Sequence, residues 1–211
     1  MTQPNSNFHN VYWMGGSPCS GKTSIARILA EKHGLQVYTC DDHFDKHVER
    51  AHPRRQPRLN WVSRVSWDDL FMRPVTVQVK DEIAIYQEEL SMIMDDLHAL
   101  SSDRPLLVEG AALLPESLLP YLKDPSRAIW IVPSEPFQRK IYPQRGEFVR
   151  WILDRTTEPK TAMRNWMDRD VAFARWVETE THRLGLKALT VTGETSIEQN
   201  ATAVEQYFSL G

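Results

Sequence analysis

Residues 16–23 read Gly16-Ser17-Pro18-Cys19-Ser20-Gly21-Lys22-Thr23, an uninterrupted G-x-x-x-x-G-K-[ST]. No other feature restricts the folding of this chain as much. Such a loop works only between a strand and a helix. Its backbone N–H groups must converge on one anion, while the helix contributes the positive end of its dipole. Glycines let the backbone wrap that closely. The apolar run 11–14 supplies the strand. Residues 22–33, with Ile25, Ile28 and Leu29 on one face and Gly34 to end it, supply the helix. In that frame Gly16, Ser17, Cys19, Ser20, Gly21, Lys22, Thr23 and Ser24 form a candidate phosphate-binding set. Lys22 is expected to reach the β- and γ-phosphates of a nucleoside triphosphate, and the Thr23 hydroxyl to ligate Mg²⁺.

The rest of the chain alternates in the same manner. Apolar, β-prone runs fall at 36–40, 105–109, 128–132 and 187–192, and several are nearly continuous, as in strands buried on both faces of a parallel sheet. Between them, Val79, Ile83, Tyr86, Leu90, Ile93, Leu97 and Leu100 step by four and three, one apolar stripe of a helix. A helix over about 159–184 carries Met163, Trp166, Phe173 and Val177 on one side, the side on which Asp170 also falls. A carboxylate there pairs with an arginine if it is buried. Ser196 and Gln199 stand at capping-box spacing before a last helix that buries Val204 and Phe208. The pattern implies a doubly wound α/β sheet. With no repeat or linker, residues 1–211 read as one domain. Two segments are longer than a crossover requires, about 41–103 and about 134–185.

Those segments hold the basic residues of a chain whose net charge is −3. Residues 46–64 carry six Lys/Arg against Glu49 alone, and 139–169 carry eight against four acids. The overall charge gives no attraction to nucleic acid, whereas the two stretches suit either local anionic ligands or solvated faces. No apolar run approaches the roughly 18 residues that span a bilayer, so no membrane partner is expected. Residues 1–10 are polar and lack a signal core. Cys19 and Cys40 alone make no disulfide framework, and a reducing cytoplasm is the expected setting. Nothing in the sequence reads out the oligomeric state.

Several side chains are candidates for chemistry. Glu109 closes the run Leu106-Leu107-Val108 and precedes Gly110. A carboxylate at an inner strand end can hold Mg²⁺ or orient a nucleophile, with a turn cap as the alternative. Asp41 and Asp42 close the second strand and suit acceptor contact and general-base work, unless one of them N-caps a helix around 44–50. Asp41 stands nearer the strand end. His43 and His47 have i, i+4 spacing, but no further ligand set accompanies them, so His43, His47 and His52 read as surface or acceptor-pocket histidines. Arg50, Arg54, Arg55, Arg58 and Arg64 could clamp an anionic acceptor and Trp61 and Trp67 stack on a ring. A solvated loop pinned by its tryptophans reads equally well.

On these motifs the sequence resembles the small-molecule kinases of the P-loop class: nucleoside-monophosphate, shikimate and gluconate kinases and chloramphenicol phosphotransferase-like proteins. The residues that carry the resemblance are 16–23, Asp41-Asp42, Leu107-Val108-Glu109-Gly110, Ile131-Val132-Pro133 followed by Arg139 and Arg145, and Asp168-Arg169-Asp170. Glu109 replaces the aspartate of the nucleoside-monophosphate kinase signature, and the Phe-Pro-Arg that follows it there is absent, as is a guanine-reading Asn-Lys-x-Asp. The resemblance implies a three-layer sandwich around a five-stranded parallel sheet in the order 2-3-1-4-5. It also implies an acceptor-binding insertion at about 41–103 and a lid at about 134–185. Arg139 is then expected near adenine, and Arg145, Arg164 and Arg169 at the phosphates. The activity implied is transfer of phosphate from ATP, with Mg²⁺, to a small-molecule hydroxyl or phosphate. Lys22, Asp41, Asp42, Glu109 and Arg169 would be catalytic, and Thr23 and Glu109 the metal ligands. The alternatives are a nucleotide-binding switch or slow ATPase regulating a protein partner, and an antibiotic or sugar-nucleotide kinase.

Overall fold

A computed structural model describes residues 8–100 and 104–210. Of the segments singled out above, 1–7 and 101–103 lie outside the described residues. In chain order the elements are β1 (Val11–Gly16), α1 (Lys22–His33), β2 (Gln36–Thr39), α2 (Phe44–Arg50), α3 (Pro57–Val62), α4 (Trp67–Phe71) and α5 (Val75–Ala99). They continue with β3 (Leu106–Glu109), α6 (Pro115–Leu118), β4 (Ala128–Pro133), α7 (Glu135–Ile141), α8 (Glu147–Leu153), α9 (Pro159–Arg183), β5 (Lys187–Val191) and α10 (Ile197–Phe208). The sheet order is β2-β3-β1-β4-β5, and every pairing is parallel. This is the fold that the resemblance to P-loop small-molecule kinases implies.

Side chains alternate across the sheet, as strand geometry demands. Val11 and Trp13 face a layer in which Ile93, Leu97, Phe173 and Val177 come from α5 and α9. Tyr12 and Met14 face the other layer, where Ile25 and Leu29 come from α1 and Val204 and Phe208 from α10. Because β1 is central, its two neighbours bring Glu109 opposite Met14 and Ile131 opposite Gly16. The carboxyl end of β1 is thus the switch point where doubly wound sheets gather ligands. Ser196 and Gln199 form the expected capping box on α10.

The long segments build two smaller cores beyond the sandwich. Ala51 and Leu59 pack on Ile85 and Met92, binding α2 and α3 to α5. Phe71, Tyr142, Val149, Ile152 and Trp166 join α4, α8 and the first turns of α9.

The apolar stripe of α5 holds only in its second half. Leu90, Ile93 and Leu97 are buried, but Leu100 is 40% exposed. In the first half the buried face is largely polar, with Gln78, Asp81 and Glu82 enclosed beside Ile85, and Glu89 follows just past the middle. Here α5 meets charged partners in place of the sheet. His47 is likewise fully buried, which corrects its reading as a surface or pocket histidine. Its Nδ1 lies 3.0 Å from Glu89 Oε1 and its Nε2 3.1 Å from Asp96 Oδ2. Among the described residues no group of three or more His, Cys, Asp or Glu is arranged to hold a metal. Asp96 also accepts from Tyr38 Oη at 3.0 Å and lies 3.3 Å from Arg50 Nη1, which ties β2 and α2 to α5. Neither Asp41 nor Asp42 caps α2. Both sit in the 3-10 turn Cys40–Asp42, and His43 is the residue before the helix.

Burial alone would push the His47 imidazole down, but its hydrogen bonds to Glu89 and Asp96 leave it raised. Removing it strands a buried carboxylate, so His47→Ala is expected to lower the unfolding free energy by about 3 kcal/mol or more in urea titrations. A raised histidine contributes stability that is fully present below the unfolded value, about 6.5. That stability is lost as pH rises through the higher folded value, so the gap between wild type and variant is expected to narrow on the alkaline side.

Candidate active site

The loop after β1 is shaped by two glycines. Gly16 takes φ 132° and Gly21 φ 81°, conformations that L side chains avoid. A Cβ on Gly16 would sit 1.9 Å from Ile131 O, and one on Gly21 2.5 Å from Ile197 Cδ1. Between them Cys19 holds φ 67°, a left-handed conformation costing about 1–2 kcal/mol outside glycine. The surroundings fix it. Ser17 N–H donates to Ile131 O at 3.2 Å, and Ser20 Oγ donates to Ser17 O at 2.9 Å. Gln138, buried on α7, donates its amide to Pro18 O at 3.0 Å.

Lys22 is 9% exposed and turns its ammonium onto the loop, 2.9 Å from Ser17 O and 3.4 Å from Ser20 Oγ. Burial pulls the ammonium down from its ordinary value, against the opposing attraction of Glu109 and Asp41. Glu109 is 2% exposed and accepts from Thr23 Oγ1 at 3.0 Å. Burial pushes its carboxyl up, with Lys22 and the Thr23 hydrogen bond working against the rise. These two adjacent hard oxygen donors are of the kind that could hold Mg²⁺ together with phosphate and water.

The loop floors a cavity of 340 Å³ lined also by Asp41, Glu82, Tyr86, Arg145, Arg169 and Asp170. A second cavity of 700 Å³ adjoins it, walled by Trp61, Trp67, Phe71, Phe148, Trp151 and Ile85 among others. Glu82, Tyr86, Trp166 and Arg169 line both, and so form the seam between them.

That seam is an ion cluster. Asp170 is fully buried, and it pairs with arginine, as a carboxylate enclosed at that place on α9 is expected to. Arg169 Nε and Nη2 donate to Asp170 Oδ1 at 2.9 and 2.6 Å, while Tyr142 Oη donates to Asp170 Oδ2 at 2.9 Å. Arg145 Nη1 stands 3.8 Å from the same Oδ2. Burial opposes the charge on Arg169, but Asp170 and Glu82 outweigh it and hold the guanidinium above its ordinary value. Glu82 lies 3.1 Å from Arg169 Nε and accepts from Tyr86 Oη at 3.2 Å. Burial still pushes Glu82 up to about 7, with Arg169 pulling it back.

Of the sequence-predicted site residues, Cys19, Ser20, Gly21, Lys22, Thr23, Ser24, Asp41, Arg145 and Arg169 therefore line one cavity. Ser17 is fully buried beneath it, and Gly16 and Glu109 stand at adjoining strand ends. Asp42 and Arg139 line neither cavity. Arg139 is held by Glu135 at 2.9 Å and Asp168 at 2.8 Å, which braces α7 against α9. The arginines of 46–64 do not line the larger cavity either. Arg50 pairs with Asp96, Arg58 with Asp81 and Arg64 with Asn60. Trp61 and Trp67 do line it, together with Arg73, whose guanidinium lies over Trp61 and 2.6 Å from Asp81. Glu82, Tyr86, Arg73 and Gln138 were not legible as site residues. The available signal is a second stripe on α5, Gln78, Glu82, Ile85, Glu89 and Met92, stepping by four and three beside the apolar one. Its glutamates make it look like a solvent face.

A scan against protein-family models finds no match, and a search of curated proteins finds none. Among solved structures the chain is similar to shikimate kinase from Acinetobacter baumannii in complex with shikimate. That match has a TM-score of 0.43 and 15% identity, and covers 93% of this chain and 90% of that one. It is also similar to a protein from Chloroflexus aurantiacus assigned only provisionally as a kinase, with TM-score 0.36, 17% identity and coverage of 93% and 97%. Superposition and identity are low in both, so the fold assignment rests on the sheet and loop described above.

The depth of the two acid–arginine systems separates their weights. Asp170→Ala leaves the Arg169 charge buried without its main partner and is expected to destabilise the fold by about 3–5 kcal/mol. Arg139→Ala breaks half-exposed pairs and is expected to change stability by no more than about 1 kcal/mol. Chemical denaturation of both variants measures the contrast.

Proposed function

We propose that the protein is an ATP- and Mg²⁺-dependent phosphotransferase acting on a small-molecule acceptor. The observation that carries this reading is the pair of adjoining cavities, one floored by the phosphate-binding loop and the other walled by aromatic side chains. A transferase needs two substrates held end to end, whereas hydrolysis requires only the first site.

In this reading the loop N–H groups and Lys22 hold the triphosphate, and Arg145 and Arg169 neutralise charge as the γ-phosphoryl moves. Thr23 and Glu109 would hold Mg²⁺, which when bound supplies charge neutralisation at the phosphates. Asp41, at the exposed lip of the cavity, contacts the acceptor. Arg139 takes no part beyond fixing α7. The segment 41–103 serves as the acceptor-binding part and 134–185 as the lid, a division supported by the larger cavity's lining from both.

Incubation with Mg-ATP and a metabolite extract, followed by mass spectrometry, tests the reading. A compound gaining a phosphoryl group with wild type but not with Lys22→Ala is the expected result. ATP turnover without any phosphorylated acceptor would point to the slow ATPase or switch instead. Lys22→Ala and Glu109→Gln are each expected to lower transfer by at least about 10²-fold. Asp41→Asn is expected to raise acceptor KM with ATP affinity little changed, measured by steady-state kinetics.

A further inference from the structure

Buried polar atoms without a hydrogen-bond partner are rare in folded proteins, and each one asks for an explanation. Among the described residues six side-chain atoms are in this condition. Four of them belong to residues lining the larger cavity: Glu82 Oε2, Gln78 Oε1, Arg73 Nε and Trp166 Nε1. Two can accept a hydrogen bond and two can donate one.

Glu82 Oε2 has a clear geometric cause. Arg169 Nε lies 3.1 Å from it, near enough for attraction, but donates its hydrogen bond to Asp170 Oδ1. The glutamate is 7% exposed and its other oxygen is occupied by Tyr86. A buried carboxylate oxygen at the seam, next to the phosphate-binding cavity, is therefore left for a hydroxyl.

The charge balance of the same cavity bears on what brings that hydroxyl. Its charged lining consists of Asp45, Asp81, Glu82, Arg73 and Arg169, three acids against two bases. Arg73 is neutralised by Asp81 and Arg169 by Asp170 and Glu82. An anionic acceptor would meet no uncompensated cation in this wall, because each of its arginines already faces a carboxylate. The remaining wall is apolar and aromatic. Phe148 and Trp151, on α8, keep 58% and 48% of their surface exposed at its mouth, large apolar groups that a flat ring would cover.

Resting on the phosphotransferase reading, we infer that the acceptor is an uncharged or cationic ring-bearing alcohol seated in the aromatic cavity, and that Glu82 takes its hydroxyl proton. In the transfer step a bond forms between the acceptor oxygen and the γ-phosphorus, and the bond from that phosphorus to the β,γ-bridging oxygen breaks. The bridging oxygen keeps the electron pair and leaves as ADP. The hydroxyl proton passes to Glu82 Oε2 and then to solvent. Gln78 Oε1, Arg73 Nε and Trp166 Nε1 supply one hydrogen bond each to polar groups on the ring frame.

The test separates this inference from the reading beneath it. A metabolite extract is split on an anion-exchange column, and each fraction is supplied with Mg-ATP and protein. Acceptor activity in the unretained fraction is expected. Activity only in the retained, anionic fraction overturns the acceptor class and leaves the phosphotransferase standing. Activity in neither fraction overturns both.

The acceptor identified in this way then serves as substrate for variants with a wild-type circular dichroism spectrum. Glu82→Gln is expected to lower kcat by about 10²–10³-fold with little change in KM. Trp67→Ala is expected to raise KM about tenfold with kcat nearly kept. Tyr86 from α5, Arg169 and Asp170 from α9 and Arg145 from the turn after α7 face Glu82. In wild type kcat/KM is expected to rise with pH through about 7, the value to which burial brings Glu82. Glu82→Asp keeps that rise at lower kcat, and Glu82→Gln abolishes it. If Glu82→Gln, or a folded Glu82→Asp, kept full kcat while Asp41→Asn lost it, the proton acceptor would be Asp41 and the assignment to Glu82 would be wrong.

Discussion

A guanidinium cannot be enclosed in a protein without carboxylates around it, and the ion cluster at Arg169 is the constraint on which the rest of this molecule depends. Arg169 comes from the middle of α9, Glu82 from the first half of α5, and Tyr142 and Arg145 from the turn after α7. That cluster links α5 to α9 through Glu82 and Arg169 at the seam where the two cavities meet. Asp170 takes both arginine donors and the tyrosine hydroxyl, and as a result Glu82 is close to a cation yet short of a hydrogen bond.

The two ends of α5 are anchored differently. Toward its C-terminus Leu90, Ile93 and Leu97 lie on the sheet. On another face His47 joins Glu89 to Asp96, and Asp96 reaches Tyr38 of β2 and Arg50 of α2. These contacts tie the helix to the strand whose end carries Asp41. The aromatic cavity is then closed by elements with a small core of their own, Phe71, Tyr142, Val149, Ile152 and Trp166, joined to the sandwich through α9, which carries both Trp166 and Phe173.

Much of the scaffold was legible in the sequence, because its signals are local. The loop 16–23 carries its own strand and helix, the strands are apolar runs, and Ser196 with Gln199 announces a helix start. Even the arginine pairing of Asp170 was expected on condition of its burial, since it interrupts an apolar face at a fixed spacing. What the sequence hid is long-range pairing. Glu82 and Glu89 look like solvent residues until Arg169 and His47 arrive from elsewhere in the chain. Arg50, Arg58 and Arg64 look like parts of an anion clamp until Asp96, Asp81 and Asn60 take them up. Arg139 follows the right strand for a nucleotide contact but is held by Glu135 and Asp168. In each case a side chain's type was plain and its partner was not, and the partner decides the chemistry.

The central claim is that a triphosphate bound by the loop presents its end to the Glu82–Arg169 seam, with the aromatic cavity beyond. A crystal structure with Mg²⁺ and a non-hydrolysable ATP analogue tests it most directly. The expected result is the phosphate chain wrapped by residues 16–23, Lys22 turned from Ser17 O to the terminal phosphates, and the γ-phosphate facing Glu82. A nucleotide bound elsewhere, or one whose γ-phosphate points away from the seam toward solvent, would contradict the account.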